Sequence, residues 1–141
     1  MRPRSLLSWT VCSLVGVVLA ITAGCDAYGT RLWFNGGELY YTSNVSKDQA
    51  EKVGNFLVKK GVFNGERKTA QLDRGPGDAF TLRIVVKKEF QNKDGVRDDL
   101  KQLCTEVSRE VFDGAAVDGW VCDEHLNSVG DPVKVAAEKK S

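Results

Sequence analysis

The chain has 141 residues, 42% hydrophobic and 28% charged, a composition that suits one soluble domain behind an apolar leader. Twenty Lys and Arg stand against nineteen Asp and Glu, and setting aside Arg2 and Arg4 of the leader leaves 18 against 19. A domain this close to neutral lacks the basic excess of a phosphate-backbone binder, so no nucleic-acid partner is expected.

Met1 to Arg4 is a short basic segment, and Leu6 to Ala23 is an apolar run diluted only by Ser8, Thr10, Ser13 and Thr22. Basic flank, apolar run and small residues before a break are the parts of an export leader. The break reads Thr22-Ala23-Gly24-Cys25. Ala and Gly directly before a cysteine resemble the lipobox of bacterial lipoproteins, although Thr22 stands where Leu is usual. The resemblance implies cleavage after residue 24 and acylation of the Cys25 thiol, a palmitate-type anchor. The run is also close to the ~20 residues that span a hydrocarbon core, so an uncleaved membrane helix and a freely secreted product remain the alternatives. All three place the following domain outside the cytoplasm, at the cell membrane or envelope.

Residues 25–30 form a short tether, and Arg31 to Phe34 opens a domain expected to run over 31–135. Asn35-Gly36 accepts the positive φ of a type I′ turn, which returns the chain into a strand over Glu38 to Thr42. Ser46 and Gln49 have the spacing of a capping box, with Val45 placed to staple against Ala50. Val53, Phe56 and Leu57 then give a helical stripe ending near Lys60 and Gly61. Lys68 to Leu72 and Phe80 to Val86 are strands joined by the Gly- and Pro-rich loop Asp73 to Asp78. In the second, Phe80, Leu82, Ile84 and Val86 alternate with Thr81, Arg83 and Val85, the pattern of a sheet covered on one side.

Asn92 or Asp94 is expected to cap a second helix, with Val96, Leu100, Leu103, Val107 and Val111 on its apolar stripe and Asp113-Gly114 at its end. Ala116 to Cys122 reads as a strand, Leu126 to Val135 as a returning edge strand, and 136–141 as a tail. From Glu38 onward the order is strand, helix, strand, strand, helix, strand. The fold class is therefore α+β, an antiparallel sheet with two helices on one face. It is either ferredoxin-like (βαββαβ) or a related arrangement with an extra N-terminal strand. The hairpin at Asn35-Gly36 conflicts with the first of these, because there the strand after it already has two other neighbours.

No catalytic set is evident, and the chain is read as a non-enzyme without a cofactor. Its one histidine, His125, lies in Cys122-Asp123-Glu124-His125. A polar turn is the expected role; the alternative is a small thiol- or metal-dependent protein using those four residues, with Cys122 and His125 as ligands. Zinc sites of the structural type need four ligands, so no metal site is assigned. Cys104 borders the apolar stripe of its helix, whereas Cys122 has the parity opposite to Val117 and Val121. Two free thiols are expected, with a disulfide as the alternative. Arg74 to Asp78 lacks the Lys-Ser/Thr ending of a phosphate loop.

The sheet face away from the helices would present Tyr40, Thr42, Gln71, Arg83, Val85, Trp120 and Cys122. Aromatic and branched residues interleaved in this way make Tyr40, Arg83, Val85 and Trp120 a candidate surface for a protein partner. The alternative is that the N-terminal strand, with Trp33 and Phe34, or the C-terminal segment covers this face. Leu39-Tyr-Tyr-Thr42, Phe56-Leu-Val-Lys-Lys-Gly61, Thr69-Ala-Gln-Leu72 and Val111-Phe-Asp-Gly114 together make the domain similar to small domains of bacterial exported and membrane proteins. That resemblance carries no activity. The expected function is a membrane-tethered, extracytoplasmic binding or structural module of unspecified ligand.

Overall fold

A computed structural model describes residues 27–139. The leader, with Cys25 and the boundary after residue 24, lies outside the described residues. Those that are described form a six-stranded sheet and two α-helices. The strands are β1 (Thr30–Phe34), β2 (Gly37–Tyr41), β3 (Lys68–Arg74), β4 (Phe80–Val85), β5 (Val117–Cys122) and β6 (Val133–Val135). The helices are α1 (Lys47–Lys59), between β2 and β3, and α2 (Val96–Glu110), between β4 and β5. Among the described residues no helix is long and apolar enough to cross a membrane.

The β1–β2 hairpin forms as its turn residues dictate, with φ of 42° at Asn35 and 83° at Gly36. For α1, the Ser46 hydroxyl accepts from the Gln49 N–H at 3.1 Å and the Gln49 side chain accepts from the Ser46 N–H at 3.0 Å, completing the capping box. At its other end the Val62 N–H donates to the Leu57 carbonyl and the Gly61 N–H to the Val58 carbonyl, a Schellman closure. The start of α2 differs from expectation. Neither Asn92 nor Asp94 caps it; Gly95 does, at a φ of 93° and without a side-chain bond.

The sheet is mixed, not antiparallel. β2–β3 and β4–β5 are parallel pairs, the other three neighbouring pairs are antiparallel, and the strands lie in sequence order. This order departs from the ferredoxin-like one and corresponds to the arrangement with an extra N-terminal strand. The cause is the hairpin: β1 takes one edge of β2, which leaves β2 a single free side, and β3 fills it.

Leu39, Ala70, Leu72, Phe80, Leu82, Val117 and Val121 share one face of the sheet and pack with Val53, Leu57, Leu100 and Val107 of both helices into one core. Both helices therefore cover the same face. Since β2 and β3 run one way and β4 and β5 the other, the two crossovers have opposite hands. One of them is left-handed, a connection that ~2% of such units adopt. The helices do not lie over the middle of the sheet: α1 packs on β1 and β2, and α2 on β5 and β6.

Candidate functional site

Two surfaces follow from this layout, and the face away from the helices is the one legible in the sequence. Register places Tyr40, Gln71, Arg83 and Trp120 on it as direct cross-strand neighbours, with Val85 opposite Cys122. They are not equally available. Tyr40 is only 8% exposed. Tyr28 packs edge-on against its ring at 5.6 Å, held by a 2.8 Å bond from the Gln71 amide to the Tyr28 carbonyl. Leu126, from the turn after β5, closes over Cys122 and Tyr40 in a small second core with Val85 and Trp120 packed at its side. Arg83, Val85 and Trp120 remain half-exposed, with the Arg83 guanidinium 6.0 Å from the Trp120 ring centre and bonded at 3.1 Å to the Ser128 hydroxyl.

β1 extends this face without covering it. Trp33 stands on it, 61% exposed, while Phe34 turns to the helix side. The Arg31 guanidinium lies 4.8 Å from the Trp33 ring centre and 3.6 Å from the buried Glu38 carboxylate, which also accepts from the Thr69 hydroxyl at 2.8 Å. Further along, Asp73 accepts from the Thr42 hydroxyl, the Asn44 amide and the Arg74 N–H. Partial burial acts to raise the Asp73 pKa, but these bonds outweigh it and hold the carboxyl below its usual value.

The Cys122 to His125 constellation is not brought together. Cys122 is fully buried, its Sγ 3.9 Å from the Trp120 carbonyl, whereas Glu124 and His125 point to solvent. Asp123 builds the turn: its carboxylate accepts from the N–H groups of Asn127 and His125, each at 2.9 Å, and is held acidic mainly by the Asn127 bond. Among the described residues no group of three or more His, Cys, Asp and Glu is placed to hold a metal. Cys104 and Cys122 are free thiols on opposite faces of the sheet, as the helical stripe of the first and the strand parity of the second imply. Burial, with a smaller contribution from Asp118, pushes the Cys104 thiol up to about 12, and burial also raises that of Cys122. Neither has the low pKa of a reactive cysteine.

The second surface was not legible in advance. Between the helices, where neither covers the sheet, runs a trough of about 430 Å³ floored by Ile84, Val86 and Val121 and walled by Val62, Leu100 and Leu103. Of these, Val62, Ile84, Val86 and Leu103 are half-exposed, although alternation marks Ile84 and Val86 as core and the helical stripe does so for Leu103. Lys60 bridges its rim from the end of α1, 3.4 Å from Glu106 and 3.9 Å from Glu110 on α2. A concave aliphatic surface with a few charged groups at its mouth is the usual form of a site for an apolar ligand, and its volume lies in the range such sites occupy.

Neither a curated protein nor a solved structure matches the chain. A family model does: AF_1994_N, described as a family N-terminal domain, matches residues 31–132. That span starts inside β1 and ends at the residue before β6, so it takes in both helices, the open face and the trough. With more than half of its length matched, the chain belongs to the AF_1994_N family.

Proposed function

We propose that this chain is a membrane-tethered, extracytoplasmic binding module, anchored through an acylated Cys25, and that it is not an enzyme. The trough between the helices is its ligand site, and the ligand class is an aliphatic chain, acyl or alkyl. One observation carries this assignment: a concave strip of half-exposed Val, Ile and Leu side chains on the helix-covered face, where Leu39, Leu72 and Leu82 beside it are fully buried. Aliphatic walls without an aromatic ring favour a flexible hydrocarbon over a planar ligand. Two buried thiols held protonated and a solvent-facing imidazole support the non-catalytic reading.

Decanoate titrated into methyl-labelled protein tests the site. Shifts confined to the methyls of Val62, Ile84, Val86 and Leu103, and abolished by Leu103→Gln but not by the control Thr105→Ala, are expected. Shifts spread over both sheet faces would remove the assignment. The tether is tested by the mass of the mature N-terminus: a lipid adduct on Cys25 supports it, and an unmodified soluble product counts against it. A second reading, a protein partner at the open face, is favoured by the half-exposed Arg83 and Trp120, residue types enriched among the residues that dominate interface energies, with Val85 beside them.

A further inference from the structure

Tyr28, Trp33 and Phe90 are the large hydrophobic residues exposed among the described residues, at 37%, 61% and 41%. Two of the three lie on one strip of the open face. Tyr28 packs on Tyr40, Tyr40 pairs with Arg31 across the hairpin, and the Arg31 guanidinium stacks on Trp33. The strip therefore reads Tyr, Arg, Trp from the segment before β1 into β1, with Tyr28 lying over β2 and β3 and Arg31 and Trp33 on the edge strand. Its charge is internally balanced, because Arg31 is paired with Glu38 beneath it.

This strip is also where the chain enters the described structure. Only Asp26 and Ala27 separate Tyr28 from Cys25. Three residues of chain reach at most ~10 Å, so a membrane-held Cys25 brings Tyr28 within that distance of the bilayer surface. The Gln71 amide fixes Tyr28 to the sheet through its carbonyl, so the tether has no slack beyond this point. The same geometry holds if the leader stays as a membrane helix, since Cys25 then marks its exit. Tyr and Trp are the side chains that favour the headgroup level of a bilayer, with an apolar ring and a polar edge.

Resting on the tether reading above, we infer that the strip of Tyr28, before β1, and Arg31 and Trp33, on β1, lies against the bilayer interface, so that the domain rests on the membrane by the β1 side of its open face. Trp33 enters the headgroup region. Trp120, on β5 of the same face, is four strand spacings away, ~19 Å, and stays clear of it. The trough, on the opposite face, remains open to solvent. Since the strip is electrically balanced, contact does not depend on anionic lipid.

The test uses the full chain in phosphatidylcholine vesicles with only Trp33 fluorescent (Trp9→Phe, Trp120→Phe). Replacing the lipid by its 6,7-dibrominated form is expected to lower Trp33 emission about twofold, while a chain carrying only Trp120 changes little. The mass of the recovered N-terminus is read on the same samples. An unquenched Trp33 on a chain that carries the Cys25 lipid or an intact leader overturns the inference and leaves the tether standing. Equal quenching of Trp33 and Trp120 overturns the edge-on orientation. A chain that stays in the supernatant, without lipid or leader, overturns the tether reading itself.

Discussion

Gly54 is the position where helix propensity and packing make opposite predictions. It lies inside α1, where replacing Gly by Ala is worth ~0.8–1.0 kcal/mol in favour of the helix. A Cβ there, however, would sit 2.2 Å from two ring carbons of Phe34 and 2.6 Å from a third. Ordinary contact needs more than 3.4 Å, so the ring must move by over 1 Å. It has little room to do so. Phe34 is stacked on Phe63 at 6.3 Å between ring centres, and Phe63 is buried against Gly37, where a Cβ would itself lie 2.3 Å from the ring. Overpacking of this kind costs ~1–3 kcal/mol, which exceeds the helix gain. Gly54→Ala is therefore expected to destabilise by about 1 kcal/mol, read as a lower urea midpoint with an unchanged m-value. Phe34→Leu, which shrinks the obstructing ring, should restore most of the loss in the double mutant, a coupling of about 1 kcal/mol between the two sites. A Gly54→Ala protein stabilised by the full helix-propensity increment, or a double mutant with additive effects, would refute the close approach of α1 to β1.

Ser46→Ala removes the hydroxyl half of the capping box, leaves the backbone N–H of residue 46 donating to the Gln49 side chain, and should cost ~1 kcal/mol in the same denaturation experiment. Cys104 and Cys122 should resist a thiol reagent at pH 8 in the native protein and react fully in urea, because both are buried with raised pKa values. The raised Cys104 value makes stability fall with rising pH: between its unfolded value near 9 and its folded value of about 12 the unfolded chain has already lost the proton that the native state keeps. Thermal melts of Cys104→Ala against its parent should show a smaller loss over that window. For Asp73 the sign reverses. Its lowered pKa adds stability above its ordinary value of 3.8 that disappears as the pH drops through the lower folded value, so Asp73→Asn should flatten the acid limb of the stability curve.

What the sequence made legible was local. Asn35-Gly36 set the hairpin, Ser46 with Gln49 set the start of α1, and period-two alternation assigned every residue of β4 and β5 to its face. That alternation put Cys122 on the open face, and the helical stripe put Cys104 on the covered one. Strand order was not legible, because alternation fixes which way a side chain points and says nothing about which strand lies next to it. The hairpin held the decisive clue, since a strand with one edge already taken cannot occupy the middle of a ferredoxin-like sheet. The start of α2 was misread because Asn92 and Asp94 are good capping residues by type, whereas Gly95 takes the cap in a left-handed conformation.

The trough depends on a further step that no periodicity encodes, the lateral position of the helices. Ile84 and Val86 alternate like Leu82, yet Leu82 is fully buried and they are not. Two close approaches account for the difference. Gly54 lets α1 settle onto Phe34 at the β1 edge. At the other side, a Cβ on Gly119 would lie 2.6 Å from Cys104 Sγ, 2.8 Å from a Val133 methyl and 3.0 Å from Leu100 Cγ, so the missing side chain lets α2 settle over β5 and β6. Each glycine draws its helix outward, toward an edge strand and away from the other helix. In the trough that opens between them, the sheet floor of Ile84, Val86 and Val121 is left to Val62 and Leu103 at the walls, with the Lys60 bridge spanning the gap. The candidate ligand site is thus a product of sequential strand order combined with two helices on one face, and its residues carry no signature that separates them from core until that topology is known.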